Sequence, residues 1–290
     1  MSGRVAPGAL RLGRIAFINS LPVDAGILTK QIACAAELTA GTPAECNARL
    51  TGAELDLGPV SSLWYAQHQK ELLLLPDLSI SSESGVRSVL LFSRRPISEL
   101  AGTPIRIKPY GRTTPALLEI LCRERYGFIP LLEWMNEMMP GLPAGADACL
   151  LIGDEALVAK DSAAGGWHVT DLAEVWRTWT GLPVVFAVWA VRRDIYSRSA
   201  EAVHAVHESL MRSREWGAAH PDAVLELASR QIALPPPVLR DYFNALSFEL
   251  GPRFREGLAL YLKFARSAGL VGPIESFEMA GENPHLHSHL

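Results

Sequence analysis

The chain lacks any run of about 18 uninterrupted apolar residues, so it holds no candidate membrane-spanning helix. It lacks a basic block as well: 27 Lys and Arg stand against 31 Asp and Glu, a formal net charge of −4. A weakly acidic chain is poorly suited to a phosphate backbone, which argues against a nucleic-acid partner. Cysteine is scarce. Cys34, Cys46, Cys122 and Cys149 form no CxxC pair and show no zinc spacing. Cys122 and Cys149 fall in apolar periodic segments and read as buried thiols. GxGxxG, P-loop and GxSxG motifs are absent, so dinucleotide redox, nucleotide hydrolysis and serine esterase chemistry lack a basis. The tail "HLHSHL" gathers His285, His287 and His289 at a terminus, where fraying is common, and reads as a frayed end. His168, His204, His207 and His220 find no partner at a telling spacing, and His204 and His207 are expected on a solvated helix face. No metal and no cofactor is implied.

What remains is a chain of 290 residues, 49% hydrophobic and 20% charged, ordinary for a globular protein and long enough for two lobes. The start, "MSGRVAPGALRLGRIAFINS", carries three Arg and lacks the apolar run of about 7–15 residues found in a secretion signal, so a cytoplasmic location is expected.

Strands and helices alternate at first. "RIAFIN", "LDLGPVSS", "LLLLPDLSISSES" and "VRSVLLFSRR" read as strands, with helices between them. This pattern favours an α/β fold with a largely parallel sheet. "TPIRIKP" reads as a further strand, and "TTPALLEILCRERYG" as a helix with Thr113 or Thr114 as N-cap, Pro115 in its first turn and Gly127 at its end. "ADACLLIGDEALVA" is a buried strand running into a helix, and "LPVVFAVWAVRRD" a strand passing between lobes. After Asp194 four helices follow with no strand, and they must pack on something already built. The simplest arrangement is discontinuous. Residues 1–94 plus 192–290 form one lobe, and residues 95–191 are inserted as the second. This is the two-lobed venus-flytrap layout, with a ligand in the cleft between lobes.

Four strand ends share one character: Asn19-Ser20, Ser61-Ser62, the Ser79 to Ser88 segment with Ser84, and Gly111-Arg112-Thr113-Thr114. All supply neutral hydrogen bonds, and helix starts add positive potential suited to an anion. Arg112 adds a bidentate partner for a carboxylate. Ser, Thr and Asn also cap helices without any ligand, and capping alone suffices for any single site. Four together, in a fold with a cleft, point to a small anionic ligand. Gly153-Asp154-Glu155 closes another strand. Glu155 reads as a helix-start acid, whereas Asp154 is open between that role and general base.

"INSLP", "DLGPVSSLWYA", "LLPDLSISSESGVRSVLLFS", "DACLLIGDEAL" and "WTGLPVVFAVWAVR" together resemble the chorismate dehydratase family of the futalosine route to menaquinone. The resemblance runs from about Ile15 to Arg193, with a weaker helical continuation. It is loosest at "KPYGRTTPALL", where Lys108, Pro109 and Tyr110 stand in place of a Ser-rich stretch. It implies a type 2 periplasmic-binding-protein-like fold and an enzyme that removes water from chorismate to give 3-[(1-carboxyvinyl)oxy]benzoate, with the substrate's own enolpyruvyl carboxylate as base. It further implies Asn19 and Ser88 as the catalytic pair. Ser61, Ser62, Thr113 and Thr114 would hold the other carboxylate, and Ser20, Ser84, Arg112, Gly153 and Asp154 would complete the site. The related 1,4-dihydroxy-6-naphthoate synthases are expected to use a His, and no His lies in a strand-end motif. A non-enzymatic carboxylate-binding protein is the other rival.

Overall fold

The computed structural model describes residues 9–135, 141–162, 165–274 and 277–281. The histidine-rich tail lies outside them. The order of elements is β1 (Leu10–Ile15), α1 (Leu21–Leu28), β2 (Ala36–Gly41), α2 (Pro43–Thr51), β3 (Leu57–Ser61), α3 (Ser62–Gln67), β4 (Leu72–Ser82) and β5 (Val89–Ser93). Then come β6 (Pro104–Ile107), α4 (Thr113–Ile120), β7 (Leu131–Trp134), β8 (Ala148–Ile152), α5 (Gly153–Ser162), β9 (His168–Asp171), α6 (Leu172–Thr180) and β10 (Val184–Arg192). The chain continues as α7 (Arg193–Ala219), α8 (Pro221–Ser229), α9 (Pro236–Asn244) and α10 (Pro252–Ser267).

Two five-stranded sheets result, ordered β2-β1-β3-β10-β4 and β7-β6-β8-β5-β9. Each has a parallel half. In the first, β1 pairs with β2 and β3; in the second, β6 pairs with β7 and β8. Each also receives one strand running antiparallel to both its neighbours, β10 in the first sheet and β5 in the second. The sheets are therefore mixed rather than largely parallel. The expected lobe boundaries also shift. Residues 89–93, assigned to the first lobe, pair with β8 and β9 in the second sheet, and residues 184–191, assigned to the insertion, pair with β3 and β4 in the first. Both strands are apolar on both faces, as a central strand requires. Each crossing therefore precedes its strand.

The strand expected over "RIAFIN" ends at Ile15, and Ile18–Ser20 form a single 3-10 turn leading into α1. The four C-terminal helices pack back onto the lobes. α7 lies on α1 where Gly217 lets the backbones meet: a Cβ there would sit 2.2 Å from the Pro22 carbonyl oxygen. α10 contacts α3, α4 and β10. Its Tyr261 and Phe264 meet Trp176 of α6 edge-on, a preferred geometry for aromatic pairs. His207 of α7, expected in solvent, is half-buried and bonds the Pro76 carbonyl at 2.8 Å. Burial lowers its pKa. The Cys122 and Cys149 thiols are buried, and desolvation pushes both up to about 12.

Candidate active site

A cleft opens where the two sheets face each other. β1 and the turn after it supply Ile15, Phe17 and Asn19, and β3 supplies Pro59 and Ser61. Ser88 and Val89 enter from the start of β5, Tyr110, Gly111, Thr113 and Thr114 from the β6–α4 connection, and Gly153 from the end of β8. Among the described lining residues there is no Asp, Glu, Lys, Arg or His. The cleft is built from apolar walls and neutral polar groups.

Of the residues singled out in the sequence, Asn19, Ser61, Ser88, Gly111, Thr113, Thr114 and Gly153 meet here. None of the strand-end Ser, Thr or Asn residues singled out in the sequence caps its helix. Ser61 is the N-cap residue of α3 and Ser20 that of α1, yet neither side chain makes a capping bond. Arg112, not Thr113 or Thr114, occupies the N-cap position of α4. Side-chain caps do exist elsewhere, at Thr42 of α2 and Asp171 of α6.

The hydroxyls at the cleft are held from behind. Asn47 Nδ2 donates to Ser61 Oγ at 3.1 Å, while Asn47 Oδ1 accepts the Ser61 N–H at 3.0 Å. The Leu63 N–H donates to Thr113 Oγ1 at 3.1 Å. The Tyr242 hydroxyl donates to Ser88 Oγ at 3.1 Å. A hydroxyl offers one proton and two lone pairs. With a lone pair occupied by a protein donor, each of these three keeps its own proton for a ligand. The Asn19 side-chain oxygen is buried at the cleft with no hydrogen-bond partner among the described residues. Its amide is not committed to holding the fold together.

Gly153 is required twice. Its φ of +63° is a left-handed conformation, and a Cβ would lie 2.7 Å from Cδ2 of Phe17. Phe17 thus rests on the opposite lobe, and its ring meets Tyr110 edge-on at 5.9 Å.

The other singled-out residues lie elsewhere. Ser20 is fully buried behind the cleft, donating to the Ile15 carbonyl at 2.8 Å and bonding Asp24 at 2.7 Å. Ser62 donates to the Val185 carbonyl at 2.7 Å and ties α3 to β10. Ser84 is exposed on a separate polar hollow beside Arg87 and Asp171. Arg112 faces an outer hollow with Trp64, Pro109 and Trp134. Asp154 accepts the Ile18 N–H at 3.1 Å across the lobes, and desolvation raises its pKa to about 6. Glu155 pairs with Lys108 and accepts the Gly141 N–H at 2.7 Å.

Asn47 and Tyr242 were not singled out in the sequence, and Tyr110 was named only as a departure from the family pattern. Asn47 and Tyr242 were findable in part. Asn47 sits beside Cys46 and three before Leu50 on a helix's buried face, and Tyr242 lies between Leu239 and Leu246 at helical spacing. A polar group on an apolar face needs a partner.

The sequence profile of the menaquinone biosynthesis family matches residues 10–267. The chain belongs to this family. A chorismate dehydratase of Thermus thermophilus is 33% identical over 242 residues, 79% of this chain and 85% of the relative. A 1,4-dihydroxy-6-naphthoate synthase from the same organism is 27% identical over 190 residues, 63% of this chain and 67% of the relative. Among solved structures, an Archaeoglobus fulgidus protein superposes with a TM-score of 0.72 at 18% identity, covering 91% of this chain and 98% of that one. The alkanesulfonate-binding protein SsuA of Xanthomonas axonopodis pv. citri, bound to MOPS, gives 0.65 at 14% identity, covering 92% and 95%. At these identities the structures establish the fold alone: two lobes, periplasmic-binding-protein-like.

Proposed function

We propose that the chain dehydrates chorismate to 3-[(1-carboxyvinyl)oxy]benzoate. The observation that carries this reading is the uncharged cleft lined by hydroxyls with free protons, in a chain related to a chorismate dehydratase over most of its length. Chorismate bears two carboxylates and a ring that becomes aromatic when the C3 proton and the C4 hydroxyl leave. Neutral donors aimed at those oxygens hold the dianion in one orientation and follow charge as it moves toward the departing hydroxyl. Apolar walls of Ile15, Phe17, Ile80 and Phe186 suit the ring.

The proton needs an acceptor. Tyr110 is the only titratable group among the described lining residues, and burial, the largest cause, together with Glu155 raises its pKa, so the phenol keeps its proton and has no phenolate to offer as base. The Asp154 carboxylate is turned to the Ile18 N–H instead. These placements favour the enolpyruvyl carboxylate of the substrate as base, with its proton leaving in the water formed at C4. Asn19 and Ser88 then act on the reacting part of the substrate, and Ser61, Thr113 and Thr114 hold the ring carboxylate. Such a step in biosynthesis calls for a cytoplasmic enzyme.

Purified protein incubated with chorismate, with and without a chelator, is expected to yield an aromatic product lighter by one water, at equal rates. Unchanged chorismate would defeat the reading. Turnover of cyclic de-hypoxanthine futalosine would then favour the naphthoate synthase alternative. Calorimetric binding of chorismate without turnover would favour a carboxylate-binding protein.

A further inference from the structure

Tyr242 belongs to α9, far along the chain from the strand-end motifs, and its side chain is completely buried. Its surroundings are rigid. Ser81 and Ser247 exchange main-chain hydrogen bonds at 2.9 and 2.8 Å, and Ser82 Oγ donates to the Ala245 carbonyl at 2.9 Å. The turn after α9 is therefore stitched to β4, and Leu246 of that turn is itself a cleft wall. Ser88 is held just as firmly, since its carbonyl accepts the Gly153 N–H at 2.8 Å. Between these two fixed points runs the bond from the Tyr242 hydroxyl to Ser88 Oγ. Burial, the largest cause, holds the Tyr242 phenol well above its usual range, so it stays a donor throughout the working pH range.

We propose that Tyr242 is a positioning residue for the reaction: by donating to Ser88 Oγ, it turns the Ser88 proton into the cleft and toward the substrate. A serine hydroxyl alone has three staggered positions for its proton. With the Tyr242 hydroxyl donating to the oxygen from behind, the position in which the Ser88 proton points back at Tyr242 is removed. The C-terminal helices thereby take part in the site without touching the ligand. The inference rests on the dehydratase reading for its substrate, and on geometry alone for the Tyr242–Ser88 link.

The test is a double-mutant cycle of Tyr242→Phe and Ser88→Ala, read by steady-state kinetics and by thermal unfolding. Tyr242→Phe keeps the ring and removes only the hydroxyl. Its expected effect is a loss of about tenfold in turnover, the worth of one well-placed hydrogen bond. The loss should fall on whichever of kcat and KM Ser88→Ala alters. In the Ser88→Ala background, Tyr242→Phe should cost no further activity. Unfolding should show the reverse pattern: Ser88→Ala alone orphans a buried phenol and lowers Tm, and adding Tyr242→Phe restores part of the loss. Equal activity losses from Tyr242→Phe in both backgrounds would overturn the proposal, because the tyrosine would then act through general packing. So would full activity in Tyr242→Phe. Absence of chorismate turnover by the wild-type chain would defeat the dehydratase reading separately. The unfolding cycle needs no substrate: additive Tm losses would then dismiss the link, and non-additive ones would sustain it.

Discussion

On the cleft side, Ser61, Ser88 and Thr113 each accept a hydrogen bond from Asn47, Tyr242 or the Leu63 N–H. Behind the cleft, Ser20, Ser62 and Ser81 each donate to a main-chain carbonyl, those of Ile15, Val185 and Ser247. Residue type and burial are alike in the two groups, since all six side chains lie in or against the core. The direction of the bond differs. A hydroxyl that donates to the backbone has spent its only proton on the fold, whereas one that accepts from the fold still has that proton to give. For a ligand made of carboxylate and ether oxygens, only the second kind is useful. In this molecule, bond direction separates cleft polar groups from structural ones better than burial or position in a motif does.

Asn19 belongs to neither group. Its amide is buried at the cleft, and its oxygen is bound to nothing among the described residues. Asn19→Ala should therefore cost little stability and much activity, about a hundredfold in kcat/KM if it meets charge that grows in the transition state. Steady-state kinetics beside a melting curve would check this. Unchanged kinetics would remove Asn19 from the machinery.

Asn47→Asp reverses one of these bonds. An aspartate can still accept the Ser61 N–H, but it cannot donate to Ser61 Oγ. The Ser61 proton would turn to the new carboxylate and away from the cleft, and a negative charge would stand beside an anionic ligand. KM for chorismate is expected to rise by at least about tenfold, with a smaller loss of Tm than Asn47→Ala, which orphans the Ser61 N–H. If Asn47→Asp bound chorismate as the wild type does, Ser61 would not be a ligand donor.

The two-lobed α/β fold was legible because it rests on periodicity and length, and α8, α9 and α10 each begin at a proline, with Gly269 just past the end of α10. The lobe boundaries were not, because β5 and β10 read as apolar runs whichever sheet they join. The cleft was legible as a set of strand ends, yet Ser20 and Ser62 look the same as Asn19 and Ser61 until partners are known. Asn47 and Tyr242 stayed hidden because their role depends on contacts between residues 14 and 154 positions apart. No local pattern encodes such contacts.

Asp154 carries a charge that the cleft residues avoid. Burial raises its pKa from 3.8 to about 6, although the Ile18 N–H favours the charged form. Between those values the folded chain binds more protons than the unfolded one, so stability falls as pH rises through that window and the loss is complete above about 6. Asp154→Asn can keep the bond to Ile18 while removing the buried charge. It should raise stability at pH 8 by up to about 3 kcal/mol and flatten the pH dependence of Tm between pH 4 and about 6. Asp24 and Asp171 are raised by burial in the same sense, so some slope should remain. A lower Tm at pH 8 would mean that the charge on Asp154 stabilises the contact between lobes.

The smallest effect belongs to the structural side. Ser81 donates to the Ser247 carbonyl at 3.0 Å on the edge of β4, away from the cleft lining. That carbonyl also accepts the Ser81 N–H at 2.9 Å, so Ser81→Ala leaves it with one partner and orphans nothing. The expected cost is about 1 kcal/mol of stability, with kcat and KM unchanged. A measured loss of turnover would mean that the stitching of the Ala245–Ser247 turn to β4 reaches the cleft through Leu246 or Tyr242. The distinction between the two kinds of hydroxyl would then be one of degree, set by how rigidly the second group holds the first.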